Sequence, residues 1–218
     1  FRLARTGILM LKIHEVPVTA FEQNCTILIC GTSGQAAVCD CGDAEPVLER
    51  LRELGVTPVM ILATHGHLDH IGGTADLQRA LKIPFYFPSG DDFWRLALPE
   101  QARRFGFPPA EIPEPDHDLQ QGDVIQLGDC RLDVLHCPGH TPGHVVFHDS
   151  AGSQLIAGDV LFRGSVGRTD FPRGSFPDLE RSIRERLYVL PPATCVHCGH
   201  GPTTTIGHEA RTNPFVRL

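Results

Sequence analysis

Thr64-His65-Gly66-His67-Leu68-Asp69-His70 decides the reading of this chain. It follows Val59–Thr64, whose unbroken apolar run reads as a buried strand. On a helix, positions i and i+2 point to nearly opposite sides, so His65 and His67 would not converge there. In extended backbone His65, His67 and Asp69 share one side. His70 then needs a turn, which Ile71-Gly72-Gly73 supplies. The segment reads as a ligand loop at a strand end, unlike His-Glu-x-x-His, which works on a helix. A lone surface histidine means little. Three histidines and an aspartate between positions 65 and 70 indicate a metal site.

Outward from that loop, short apolar runs alternate with helical patterns. Lys12–Pro17, Asn24–Cys30 and Gln35–Asp40 read as strands, with Gly31-Thr32-Ser33-Gly34 as a hairpin turn. Val47, Leu48, Leu51 and Leu54 recur at helical spacing and Gly55 stops the pattern. Gly73–Leu81 is a second helix and Phe85–Phe87 a short strand. The proline-rich stretch from Pro88 to Gln121 is expected to be an irregular packed connection, with a cap over a pocket as the alternative. Strands resume at Asp123–Leu127, Arg131–His136, Val145–Asp149 and Gln154–Ala157. Asp178–Tyr188 reads as a helix, Thr194–His197 as a strand and His208–Asn213 as a short helix. Such a mixture is buried best as two sheets with helices outside them. Residues 1–9 show no clear period and are expected to be an extension outside the fold. Residues 10–218 are expected to form a single domain.

Charged residues at 21% and a 41% apolar fraction fit a globular chain with a core and exclude disorder. The net charge of -7, with no basic run, argues against nucleic acid as a partner. No apolar stretch approaches the ~20 residues needed to span a bilayer, and no signal peptide is evident. A cytoplasmic location, reduced buried cysteines and an idle Asn24-Cys25-Thr26 acceptor follow as expectations. Nothing in the sequence indicates an oligomeric state.

Further along the chain, His136-Cys137-Pro138-Gly139-His140-Thr141-Pro142-Gly143-His144, then Ala157-Gly158-Asp159, then Cys198-Gly199-His200-Gly201 follow the first motif. In this order the motifs resemble those of the metallo-β-lactamase superfamily, from about Met10 onward. Phe162 to Phe171 and Glu209 to Phe215 are similar to segments of the short bacterial glyoxalase II-like hydrolases. The resemblance implies an α/β fold built as a four-layer αββα sandwich. It implies that His65, His67 and His140 hold one metal, that Asp69, His70 and His200 hold a second, and that Asp159 bridges them, with Asp69 and Asp159 as the catalytic carboxylates. The implied cofactors are two divalent ions, Zn first and Fe or Mn as alternatives.

The implied activity is cleavage of a small-molecule thioester of the S-lactoylglutathione or hydroxyacylglutathione type. A metal-bridging hydroxide would attack the carbonyl. A thiolate leaves without a dedicated acid because free thiols ionise near pKa ~8.5. Arg168 and Arg173 are candidates to pair with a substrate carboxylate, or else sit in structural salt bridges. Against the longer glutathione-specific enzymes, Asp170 and Pro202 stand where tyrosines are found. Rival readings are a one-iron persulfide dioxygenase, which shares Gly-Arg-Thr-Asp-Phe, a lactonase, and a non-enzymatic metal-binding module. A flavodiiron-type reductase places Glu where His67 stands.

Of the remaining candidates, His14, His117, His148 and His208 have no motif context and are expected to be solvated or packed. His144 is expected to support backbone. His197 reads equally as a strand residue or as a support for a ligand, and Asp40 either orients a ligand histidine or forms a turn. Cys195-x-x-Cys198 is a weak zinc or redox signal, and Cys198 replaces the proline usual in the family. It is expected to be inert.

Overall fold

The computed structural model describes residues 11–218, so the expectation for residues 1–9 lies outside the described residues. The chain begins with an antiparallel hairpin, β1 (Leu11–Val18) and β2 (Gln23–Cys30). β3 (Ala36–Cys39) returns antiparallel to β2. Helix α1 (Ala44–Leu54) then carries the chain over to β4 (Pro58–Leu62), parallel to β3. Asp43 caps α1 by accepting from the Glu45 amide, and Gly55 ends it at φ +65°, a conformation that glycine adopts without strain. Helices α2 (Leu68–Ile71) and α3 (Thr74–Leu81) precede β5 (Phe85–Phe87), which pairs with β4.

The proline-rich stretch does not form an irregular connection throughout. It holds α4 (Asp92–Leu96) and α5 (Leu98–Phe105), then β6 (His117–Asp118) at the sheet edge. Pro99 sits in the first turn of α5, where its missing N–H has no helical partner to lose, so the proline starts the helix instead of breaking it.

A second sheet follows: β7 (Val124–Leu127), β8 (Cys130–His136), β9 (Val145–Asp149) and β10 (Gln154–Gly158) as an antiparallel meander. The hairpin β11 (Leu161–Phe162) and β12 (Ser165–Val166) and helix α6 (Phe176–Ser182), which runs on into a wider turn over Ile183–Leu187, come next. β13 (Cys195–Cys198) inserts parallel to β10, β14 (Thr204–Thr205) forms the edge, and α7 (Ile206–Thr212) follows.

Both large sheets have six strands. Three apolar clusters define the layers. Leu28, Ala37, Leu62, Leu132, Val134 and Phe147 meet between the sheets. Ile27, Val38 and Ile61 face the other way, onto Val47 and Leu51 of α1 and Leu77 of α3. Val146, Leu155 and Val196 of the second sheet pack on Leu179, Ile183 and Ile206. Residues alternate between faces along β2, so its segment Ile27–Cys30, buried on both sides, reads as a continuous apolar run. Fully buried side chains such as Phe147 and Leu132 each contribute ~1.5–3 kcal/mol of burial. The result is the αββα sandwich expected from the sequence.

Candidate metal centre

The ligand-bearing segments leave neighbouring strand ends. His65 and His67 lie in the loop after β4. His140 and Asp159 follow β8 and β10, and His200 follows β13. The extended reading of the first motif is corrected at Asp69. The backbone turns helical at Leu68, one position past His67, so Asp69 and His70 lie on α2. Gln101 of α5 accepts from the Leu68 amide at 2.9 Å and fixes where that turn starts.

His65 Nε2 and His140 Nε2 stand 3.1 and 3.0 Å from His67 Nδ1. A tetrahedral ion with nitrogen ligands at 2.0–2.1 Å would separate them by about 3.3 Å. Asp69, His70 and His200 form a second cluster, with His200 Nε2 3.2 Å from Asp69 Oδ2. Asp159 faces both. Its Oδ1 is 3.4 Å from His70 Nε2, while Oδ2 is 3.5 Å from His140 Nε2 and 3.6 Å from His200 Nε2.

These groups fit divalent ions on their own chemistry. The buried atoms His70 Nε2 and Asp159 Oδ1 have no hydrogen-bond partner, a cost that an ion between them removes. Burial first, and the neighbouring imidazoles second, hold the pKa of His65 well below the ordinary histidine value, which keeps the ring neutral as a ligand must be. Burial lowers His67 and His140 as well. Burial would also depress His70, but the carboxylates of Asp159, Asp40 and Asp69 outweigh it and raise its pKa well above the usual value. Burial opposes the charge on Asp159, yet His70 and then His140 and His200 pull its carboxyl far below the normal range. The carboxylates of Asp159, Asp40 and Asp69 thus favour positive charge on the His70 side of the cluster.

The supporting groups fix which nitrogen each ring presents, judged from partners. His65 Nδ1–H donates to Thr64 Oγ1 at 3.0 Å, and that hydroxyl donates to Asp40 Oδ2 at 2.7 Å. His70 Nδ1–H donates to the same Asp40 oxygen at 2.9 Å. Asp40 therefore orients two of the candidate ligand histidines. It does so from a left-handed backbone, φ +61°, so it is also a turn residue. His140 Nδ1–H donates to the Arg168 carbonyl and His200 Nδ1–H to the Phe21 carbonyl. His144 accepts from the Asp159 amide and stacks on His65, which is the supporting role expected of it.

Gly199 is required by close approach. A Cβ there would lie 2.1 Å from Asp159 Oδ1 and 2.9 Å from His70 Cε1. Gly199→Ala is therefore expected to lower metal content per chain while leaving the far-ultraviolet circular dichroism intact. Unchanged metal content would show that the site has more room than these distances allow.

Other residues fall outside the cluster. His197 bonds Glu15 and Gln154 across the strands, so it is a packed strand residue. His148 is buried, and His117 stacks on Tyr86. All eight cysteines are free. Burial raises the Cys198 thiol to about 12, so at pH 8 it should resist iodoacetamide in the folded protein, and rapid alkylation seen by peptide mass mapping would contradict that. Arg168 lines the cavity but is paired with Asp170, and Arg173 lies over the Phe93 ring at 4.1 Å.

Sequence reasoning missed Asp91. This buried carboxylate accepts from the Gly66 amide at 3.0 Å, the Thr141 hydroxyl at 2.6 Å and the Gly143 amide at 2.6 Å, tying two ligand loops together. It also missed the aromatic lining, Trp94 and Phe21 above all. Buried Glu209, within the segment resembling the glyoxalase II-like ending, accepts from the Gly164 amide and the Thr204 hydroxyl and anchors the β11–β12 hairpin.

The metallo-beta-lactamase superfamily profile matches residues 18–200, and the chain belongs to that superfamily. It is 40% identical to hydroxyacylglutathione hydrolase GloC of Haemophilus influenzae over 94% of this chain and 98% of that one. Two solved structures are similar. TTHA1623 in a di-iron-bound form has 41% identity and a TM-score of 0.86, covering 93% of this chain and 100% of that chain. The BLEG-1 B3 metallo-beta-lactamase has 35% identity and a TM-score of 0.87, covering 94% and 99%. The protein is a metal-dependent hydrolase of this superfamily. Among the described residues no helix is long and apolar enough to cross a membrane.

Proposed function

We propose that this chain is a dinuclear thioester hydrolase acting on substrates of the S-lactoylglutathione or hydroxyacylglutathione type. The observation that carries the reading is the placement of Asp159, one carboxylate facing both clusters of ligand groups. His65, His67 and His140 would hold one divalent ion. Asp69, His70 and His200 would hold the other, and Asp159 would touch both. Imidazole and carboxylate donors suit Zn, with Fe and Mn as alternatives. Once bound, two such ions supply Lewis acidity and a water that ionises near neutral pH.

The chain's own residues do the positioning. Asp40, directly and through Thr64, holds His70 and His65 at fixed angles. Trp94 and Phe171 pack edge-on against the His67 ring and hold it in place. The Phe21 carbonyl holds His200. A thiolate departs with little need for a proton, so the leaving group asks for no side-chain acid here.

Purified protein should contain about two metal ions per chain and hydrolyse S-lactoylglutathione equally with and without oxygen. One iron per chain with oxygen consumption on a persulfide would replace this reading with a dioxygenase.

A further inference from the structure

The cavity beside these residues holds about 450 Å³ and is walled by aromatic rings on two sides. Trp94 and Phe171 flank His67, with ring centroids 4.6 and 5.0 Å from its imidazole. On the other side Phe162 stands 6.1 Å from His200, and Phe21 packs edge-on against Phe105 at 5.7 Å. The hydroxyacyl part of a thioester is too small to cover the rings beside His67, and a cavity of this size and apolar lining can hold a drug-sized ligand.

Two guanidinium groups line the same cavity and differ in kind. Arg168 donates through Nε and Nη2 to Asp170 at 2.9 and 2.7 Å, and lies over the Phe171 ring at 4.6 Å. Its charge is matched and its plane is part of the wall. Arg104 has no acidic partner within 4.0 Å among the described residues, because the nearby Glu100 is held in a two-point pair by Arg103 at 2.6 and 3.1 Å. Gln101 and Arg104 share one face of α5, in line with Ala97 at its N-cap, and Gln101 is fixed by the Leu68 amide and the Trp94 carbonyl. That face is held over the site.

We infer that the cavity selects an amphiphilic substrate, with a ring-sized apolar group seated against Trp94 and Phe171 and a carboxylate received by Arg104 on the Phe21–Phe105 side. The reaction at the scissile bond rests on the hydrolase reading above, whereas the recognition does not. An unpaired guanidinium can take both carboxylate oxygens in charge-assisted bonds, while Arg168 would have to release Asp170 first.

The test uses metal-loaded enzyme and a phenyl-bearing acyl thioester with a distal carboxylate, its methyl ester, and the non-hydrolysable thioether analogues of both. The wild type should show a KM for the carboxylate about tenfold below that of the methyl ester, and calorimetry should show the same ratio of Kd values for the thioethers. Arg104→Gln should bring both ratios close to one, while Arg168→Gln and Arg173→Gln preserve them. Ratios that survive Arg104→Gln, or vanish in Arg168→Gln, overturn the assignment, as does a wild type that does not discriminate. If neither thioester is turned over while the thioethers still discriminate through Arg104, the thioester assignment fails and the recognition stands.

Discussion

Replacing Asp159 by alanine is expected to lower kcat/KM for thioester hydrolysis by about 10³-fold and to reduce metal content by at least one ion per chain. The reason is geometric. Asp159 is the group whose two oxygens face both ligand clusters, and it lies among His70, His140 and His200 at 3.4 to 3.6 Å. Removing it takes away the one carboxylate that faces His70, His140 and His200 together. Bound ions contribute several kcal/mol of charge stabilisation, and each 1.36 kcal/mol is tenfold in rate. Elemental analysis alongside kinetics checks this. Retention of both metals and of full activity would mean that Asp159 bridges nothing.

Asp91→Ala should be the most damaging substitution away from the ligands themselves. Its carboxylate satisfies the Gly66 amide, the Thr141 hydroxyl and the Gly143 amide, all buried. Burial raises its pKa, and those three donors oppose the rise without cancelling it. Its loss strands the donors and releases the loops carrying His65, His67 and His140 from each other. Leaving such buried donors unpaired costs roughly 1–3 kcal/mol each. For a chain of this size that lowers Tm by about 10 °C. Asp91→Asn keeps one acceptor oxygen and should fall between the two. Calorimetric scanning of the three proteins gives the order, and an alanine variant as stable as the wild type would remove Asp91 from the scaffold.

The sequence pointed to the candidate ligands, the first motif by its own residues and His140, Asp159 and His200 through the family resemblance. Histidines and an aspartate at close spacing between positions 65 and 70 cannot be hidden by folding, and the strand–loop order put the other motifs at strand ends. The two-sheet architecture was legible in part: Ile27–Cys30 of β2 reads as an unbroken apolar run because its residues are covered on both faces. The turn at Leu68 was not legible. It depends on Gln101, which arrives from α5, far along the chain. The proline-rich segment misled because proline at a helix start and proline in a loop look alike in one dimension. Tertiary structure alone decided that Asp40 and Asp91 serve the site, that Arg168 is matched by Asp170 while Arg104 is not, and that aromatic rings from distant segments wall one cavity. The reason is that pairing, burial and exposure depend on distances between residues remote in sequence, and only the folded chain sets those distances.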